Sequence, residues 1–147
     1  MEIALAEATA ATAHGDVPVG AVVLIEGKIV SQRHNERELT KDPTAHAEVL
    51  ALRDAAETLG DWRLSGATLV VTLEPCPMCA GALLSGRVSR LVFGAADPKA
   101  GACGTLYNFC TDPRLNHAVD VRHGVMAAEA SSLLSSFFAD RRGTPTL

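Results

Sequence analysis

Apolar positions along the chain change period several times, and each change marks a predicted element. Residues 2–13 (EIALAEATAATA) carry Ile3, Leu5, Ala6 and Ala10 at roughly helical spacing, and the run ends at His14-Gly15. Val19–Ile25 is a β-branched apolar stretch, and Glu26-Gly27 reads as a tight turn into Lys28–Arg33, which predicts a hairpin. A polar loop, HNERELTKD at 34–42, leads to Asp42-Pro43, a helix start with Asp as cap and Pro at the first position. Val49, Leu52, Ala56 and Leu59 then keep the helical period until Gly60 stops it.

Ala67–Leu73 (ATLVVTL) predicts a short buried strand, Pro75–Ser85 a helix and Val88–Gly94 another strand. Residues 95–118 are irregular, with Asp-Pro twice. Asp120–Arg122 follows as a short last strand, and Met126, Ala130, Leu133, Leu134, Phe137 and Phe138 predict an amphipathic final helix. Strands alternating with helices predict an α/β sheet covered by helices on both faces. No repeat or linker interrupts the pattern, so 1–147 reads as a single domain, with about 142–147 as a short flexible tail.

Composition narrows the class. The 147 residues are 48% hydrophobic and 20% charged, as expected of a soluble globular domain, and four Phe, one Tyr and one Trp leave the core to Ala, Val, Leu and Ile. A net charge of -4 argues against a bulk electrostatic nucleic-acid binder but leaves room for a local basic face. Residues 1–14 carry Glu2 and Glu7 and lack a basic start, so no secretory signal is read there, and no apolar run reaches the roughly 18 residues of a membrane span. The expectation is a cytoplasmic chain without membrane association, in which four cysteines point to metal rather than to bridges.

Two short motifs carry the chemistry: His46-Ala47-Glu48 and Pro75-Cys76-Pro77-Met78-Cys79, each at a predicted helix start. Cys76 and Cys79, three apart across a first helical turn, point two sulfurs at one ion, and the helix dipole favours the thiolates that zinc requires. His46 supplies a third ligand, which leaves a fourth tetrahedral position for water, the layout of a catalytic zinc. Glu48 lies about 200° around an ideal helix from His46, so it reaches that water only if the first turn is irregular; from there it acts as proton shuttle. Glu74 reads as a residue that fixes backbone or orients a ligand. An H-x-E tripeptide alone occurs by chance in about one chain in five of this length, whereas Pro-Cys-x-x-Cys is far rarer. The bland alternative for the Cys pair is a buried structural pair. Cys103 and Cys110 read as small buried hydrophobes, and His14, His34, His117 and His123 as isolated surface or capping residues.

His-x-Glu followed by Pro-Cys-x-x-Cys is the known signature of zinc nucleobase deaminases. The chain further resembles the bacterial tRNA-specific adenosine deaminase branch of the cytidine/deoxycytidylate deaminase superfamily. The resemblance rests on DVPVGAVV at 16–23, HNERE at 34–38, DPTAHAE at 42–48, LEPCPMCAGA at 73–82, DPKAGACGTLYNF at 97–109 and DPRLNH at 112–117. It implies a three-layer α/β/α sandwich of cytidine-deaminase type around a five-stranded mixed sheet. It also implies one zinc per subunit on His46, Cys76 and Cys79, and hydrolytic deamination of wobble adenosine to inosine with Glu48 passing a proton to adenine N1. Asn35 would hydrogen-bond base and ribose, and the backbone N–H of Ala47 would sit beside the reacting centre. Val17, Pro18, Leu73 and Pro75 would wall the pocket, and Asp97 would lie by the ribose. The partners implied are a tRNA anticodon arm and a second copy of the chain, since the family's members are homodimers.

Basic residues near the C-terminus are Arg141 and Arg142, with Arg53, Arg63, Arg87, Arg90 and Lys99 as candidates for a basic rim. Two other functions remain open on these residues. One is deamination of a free base or nucleoside of guanine or cytosine type on the same scaffold. The other is a zinc-binding partner subunit without catalysis, against which Glu48 speaks. Homodimerisation has some support from residues as well, because Ala80, Ala82, Leu83 and Leu84 make the helix after Cys76 apolar nearly all round.

Overall fold

A computed structural model describes residues 1–143. Helix α1 (Glu2–Ala11) leads through a 3₁₀ turn (Thr12–His14) to the hairpin β1 (Gly20–Ile25) and β2 (Lys28–His34). A single-turn helix α2 (Arg37–Thr40) precedes α3 (Ala47–Leu59), β3 (Ala67–Leu73), α4 (Pro77–Ser85) and β4 (Arg90–Ala95). After a long irregular segment come β5 (Asp120–Arg122) and α5 (Ala127–Arg142). The five strands form one sheet in the order β2-β1-β3-β4-β5. β1 pairs antiparallel with β2 and with β3, whereas β3–β4 and β4–β5 are parallel, so the sheet is mixed. Helices α1 and α5 pack on one face and α3 with α4 on the other. This is the three-layer α/β/α sandwich expected.

Alternation along the strands sorts the core into two layers. Ala21 and Val23 of β1, Leu69 and Val71 of β3, and Leu91 and Phe93 of β4 join Ala51, Ala55, Ala80 and Leu83 in the main core. Val22 and Val70 face the other way and meet Ala4 of α1 in a smaller cluster. Helix α1 departs from the sequence reading: its buried positions are Ala4, Ala8 and Ala11, and Ile3 is 43% exposed. The cause is close approach, since a Cβ on Gly20 would stand 1.9 Å from the Ala4 carbonyl oxygen. Only alanine-sized groups fit between helix and sheet there, so side-chain volume rather than hydrophobicity chose the buried face.

Two helix starts also differ. α3 begins at Ala47, not at Asp42-Pro43, because Asp42 folds its carboxylate back onto the Thr44 N–H and hydroxyl, both at 2.8 Å, and closes a turn instead of capping a helix. α4 begins at Pro77, with Cys76 extended at its N-cap. The expected tail overlaps the last helical residue, Arg142, and otherwise lies almost wholly outside the described residues. No described helix is long and apolar enough to cross a membrane.

Candidate active site

The shifted helix starts build the site. His46 is the N-cap of α3 in extended conformation (φ -75°, ψ 147°), and Cys76 is the N-cap of α4 (φ -74°, ψ 174°). His46 is therefore not on the helix that carries Glu48, which removes the 200° separation an ideal helix would impose. Cys79 follows one turn into α4 and is fully buried. His46 Nδ1 lies 3.6 Å from Cys76 Sγ and 3.4 Å from Cys79 Sγ. Bonds of 2.3 Å to sulfur and about 2.0–2.1 Å to nitrogen on a tetrahedral zinc separate sulfur from nitrogen by about 3.5–3.6 Å. The three ligand atoms, all within 4.8 Å of one another, thus fit one such ion.

Electrostatics prepare one thiolate in the cluster, at Cys76. The Cys79 hydrogen bond, with help from His46, overcomes burial and holds the Cys76 thiol at about 4. Cys79, as donor to Cys76 and itself buried, is pushed far up. The hydrogen bond to Cys76 raises His46 against the effect of its burial. A divalent cation entering here would bind the Cys76 thiolate and displace the protons held on Cys79 and His46. Glu48 is 4% exposed, and burial raises its carboxyl above the usual range, which brings it closer to the neutral pH a proton carrier needs.

A cavity of about 370 Å³ opens over this cluster, lined among others by Val17, Asn35, His46, Glu48, Leu73, Cys76 and Asp97. Pro18, Ala47 and Pro75 are buried and do not line it. Asn35 bridges two segments: its Nδ2 donates to the Val17 carbonyl at 3.0 Å, and its Oδ1 accepts from the Ala47 N–H at 2.8 Å. The Ala47 N–H is therefore already engaged, and Asn35 is the polar group of this pair that faces the cavity. Asp97 both lines the cavity and closes a turn, with Oδ1 accepting from the Lys99 and Ala100 N–H groups at 2.9 and 3.3 Å.

Glu74 ties the irregular segment to the site. It accepts from the backbone N–H of Asp97 (3.1 Å), Cys103 (3.0 Å) and Thr105 (3.1 Å), and from the Thr105 hydroxyl. Burial pushes this carboxyl up, but the four donors outweigh burial and hold it below the usual range. Gly101 is required by the same knot, since a Cβ there would stand 2.5 Å from the Glu74 carboxylate. Cys103 and Cys110 are buried, their sulfurs 3.6 Å apart.

Sequence reasoning missed several wall residues. Gly15, Asp16, Arg37, Glu38 and Arg141 also line the cavity, contributed by the first turn, by α2 and by α5. Asp16, Arg37 and Glu38 fall within the 16–23 and 34–38 segments that carry the resemblance and Arg141 among the C-terminal basic residues, but the sequence assigns none of them to the pocket; only the fold brings them together. The residues of the expected basic rim divide by position. Arg53, Arg63, Arg87 and Arg90 stand outside the cavity lining, with Arg63 stacked on Trp62, Arg87 donating to the Leu84 carbonyl and Arg90 to Asp120. Lys99 and Arg142 line an adjoining hollow that shares Val17, Leu73 and Asp97 with the cavity. His14 and His34, expected to be isolated, are paired with each other.

A mixed five-stranded sheet with His46, Glu48 and the Cys pair at two converging helix starts defines a deaminase, and residues 1–142 match the MafB19-like deaminase family. The tRNA-specific adenosine deaminase of Bacillus subtilis (strain 168) is 50% identical over 142 residues, covering 97% of this chain and 88% of that protein. The enzyme of the same name from Haemophilus influenzae is 48% identical over 143 residues, 97% and 83% of the two chains. The chain belongs to the tRNA-specific adenosine deaminase family. Among solved structures, one from a study of A-to-I editing by tRNA:A34 deaminases superposes with a TM-score of 0.88 at 44% identity, covering 91% of this chain and 97% of that one. A guanine deaminase from Nitrosomonas europaea superposes at 0.81 with 25% identity, over 94% and 82%.

Proposed function

We propose that this chain hydrolyses the wobble adenosine of a tRNA anticodon to inosine, in the cytoplasm, as a homodimer holding one zinc per subunit. The observation that carries the reading is Glu48, buried beside the His46–Cys76–Cys79 cluster at the base of a cavity that Asn35 also lines. Zinc bound there supplies Lewis acidity that makes water a nucleophile near neutral pH. Glu48 would take a proton from the attacking water and deliver it to adenine N1 as the C6–O bond forms, then collect the proton of the new C6 hydroxyl and hand it to the amino group, which leaves as ammonia as the C6 carbonyl forms. Asn35 holds the base and ribose from an orientation already fixed by Val17 and Ala47. Val17 and Leu73, backed by Pro18 and Pro75, exclude bulk water, and Asp97 stands at the ribose.

The dimer reading is supported by the surface over α4. Gly81, Leu84, Phe109 and Leu115 line a groove of about 620 Å³ together with the charged Arg87 and Asp112, and exposed Tyr107 packs against Phe109. A second copy laid on this face would cover the apolar side of α4 that this chain leaves open.

The competing reading is deamination of free guanine or cytosine, which the net charge of -4 and the guanine deaminase neighbour favour. Inosine formation in a panel of anticodon stem-loops, with free adenosine, guanine and cytosine as controls, separates the two. Turnover of the stem-loops alone supports the tRNA reading, and turnover confined to a free base overturns it. Zinc content measured on the same protein and on Cys76→Ala checks the ligands: most of the metal should leave with Cys76.

A further inference from the structure

Away from the His46 cluster, four ionisable side chains form a line beside α1. His34 Nδ1 lies 2.6 Å from Glu7 Oε2, and His14 Nδ1 lies 2.7 Å from Asp16 Oδ2. The two rings turn their remaining nitrogens on each other, Nε2 to Nε2 at 3.2 Å, with centroids 5.2 Å apart. An ionised carboxylate only accepts, so each Nδ1 carries the proton. A neutral ring then presents a bare lone pair at Nε2, and two such lone pairs at 3.2 Å repel unless a cation stands between them.

We propose that His14 and His34 form a second metal site, binding one divalent cation of the imidazole-preferring class (zinc, nickel or copper) through their Nε2 atoms. Two imidazoles on one tetrahedral ion, each about 2.0–2.1 Å from it, set their nitrogens about 3.3–3.4 Å apart. The observed 3.2 Å needs only a slight opening. Each ring is backed by a carboxylate on its other nitrogen, the arrangement that orients a ligating histidine and raises its basicity. The side chains of His14 and His34 are 18% and 21% exposed, so the remaining coordination positions open to water. Imidazole donors select zinc, nickel and copper over magnesium and calcium. With two protein ligands where the His46 cluster offers three, this site binds more weakly than the first.

The site is wired to the cavity. Asp16 Oδ1 accepts from the Glu38 N–H at 2.8 Å and Oδ2 from the Leu39 N–H at 3.2 Å, and Asp16 and Glu38 both line the cavity. A cation on His14 therefore braces the Asp16–α2 wall through the same carboxylate.

The test is nickel titration of the untagged protein with its tightly held zinc in place, followed by calorimetry and by thermal melting. The expected result is one saturable nickel equivalent per chain and a Tm that rises with nickel. His14→Gln and His34→Gln should each abolish both effects while keeping the tight zinc, and Glu7→Gln should weaken nickel binding by about 10–100-fold. Their melts without nickel show whether the variants fold. Absence of saturable uptake in the wild type, or uptake unchanged in folded His14→Gln and His34→Gln, overturns the site and leaves a shared proton as the cation that holds the two rings.

Discussion

Glu48 and Asp97 illustrate how differently two carboxylates on one cavity can be used. Glu48 is buried beside the ligand cluster, and burial raises its carboxyl above the usual range, which suits it to carry a proton. Replacement by Gln keeps the volume and removes the proton acceptor. Glu48→Gln should retain its zinc by elemental analysis while stem-loop deamination falls by at least about 10²-fold; activity within a few-fold of wild type would remove Glu48 from the proton path. Asp97 commits Oδ1 to its own turn and leaves Oδ2 without a donor among the described residues. A ribose 2′-OH is such a donor, and deoxyribose lacks it. Asp97→Asn should therefore lose activity on an RNA stem-loop and narrow the preference over the same loop made as DNA, read as the RNA-to-DNA ratio of kcat/KM. A ratio that holds or widens leaves Asp97 as a turn residue only.

At the scale of elements, the short α2 is the part of the wall held most by one side chain. Four residues make too little helix to be stable alone, and Asp16 supplies acceptors for two of its N–H groups. Burial raises the Asp16 carboxyl, but the Glu38 N–H, His14 and the Leu39 N–H together bring it below its ordinary value of 3.8. A lowered folded-state value means that this stabilisation is present above the ordinary carboxylate range and is lost as pH falls through the folded value. Asp16→Asn should thus cost about 1–3 kcal/mol at pH 7, with the gap from wild type closing toward pH 3. Denaturant midpoints of both proteins across that range test it; a gap independent of pH would show that the charge of Asp16 contributes nothing.

For the whole molecule, α4 presents an outer face that a second copy would cover. Its inward residues Ala80 and Leu83 are buried in the core, but Met78, Gly81 and Ser85 continue around an outer face beside the 109–117 segment. A second copy on that face would bury Leu84, so Leu84→Glu places a charge where a dimer would close, while the monomer can keep the carboxylate in water. Sedimentation at micromolar concentration should show a dimer for the wild type and a shift toward monomer for Leu84→Glu. A wild-type monomer would refute the dimer reading.

Some of this was decided by the sequence alone. The hairpin at Glu26-Gly27, the buried strand 67–73 and the stop at Gly60 follow from local periodicity and turn chemistry, which depend only on neighbours in the chain. The His46, Cys76 and Cys79 trio was also legible, because metal ligands must be of few residue types at short spacings. Tertiary structure decided the rest. That α3 starts at Ala47 depends on Asn35, twelve residues earlier, accepting the Ala47 N–H, and on Asp42 closing a separate turn. That α1 buries alanines depends on how near β1 lies. The Glu7–His34–His14–Asp16 line is set by α1, the 3₁₀ turn and the end of β2 meeting, up to 27 residues apart in sequence. No period or motif records such meetings, because they are fixed by packing between elements, and that is where sequence reading took two histidines for isolated ones.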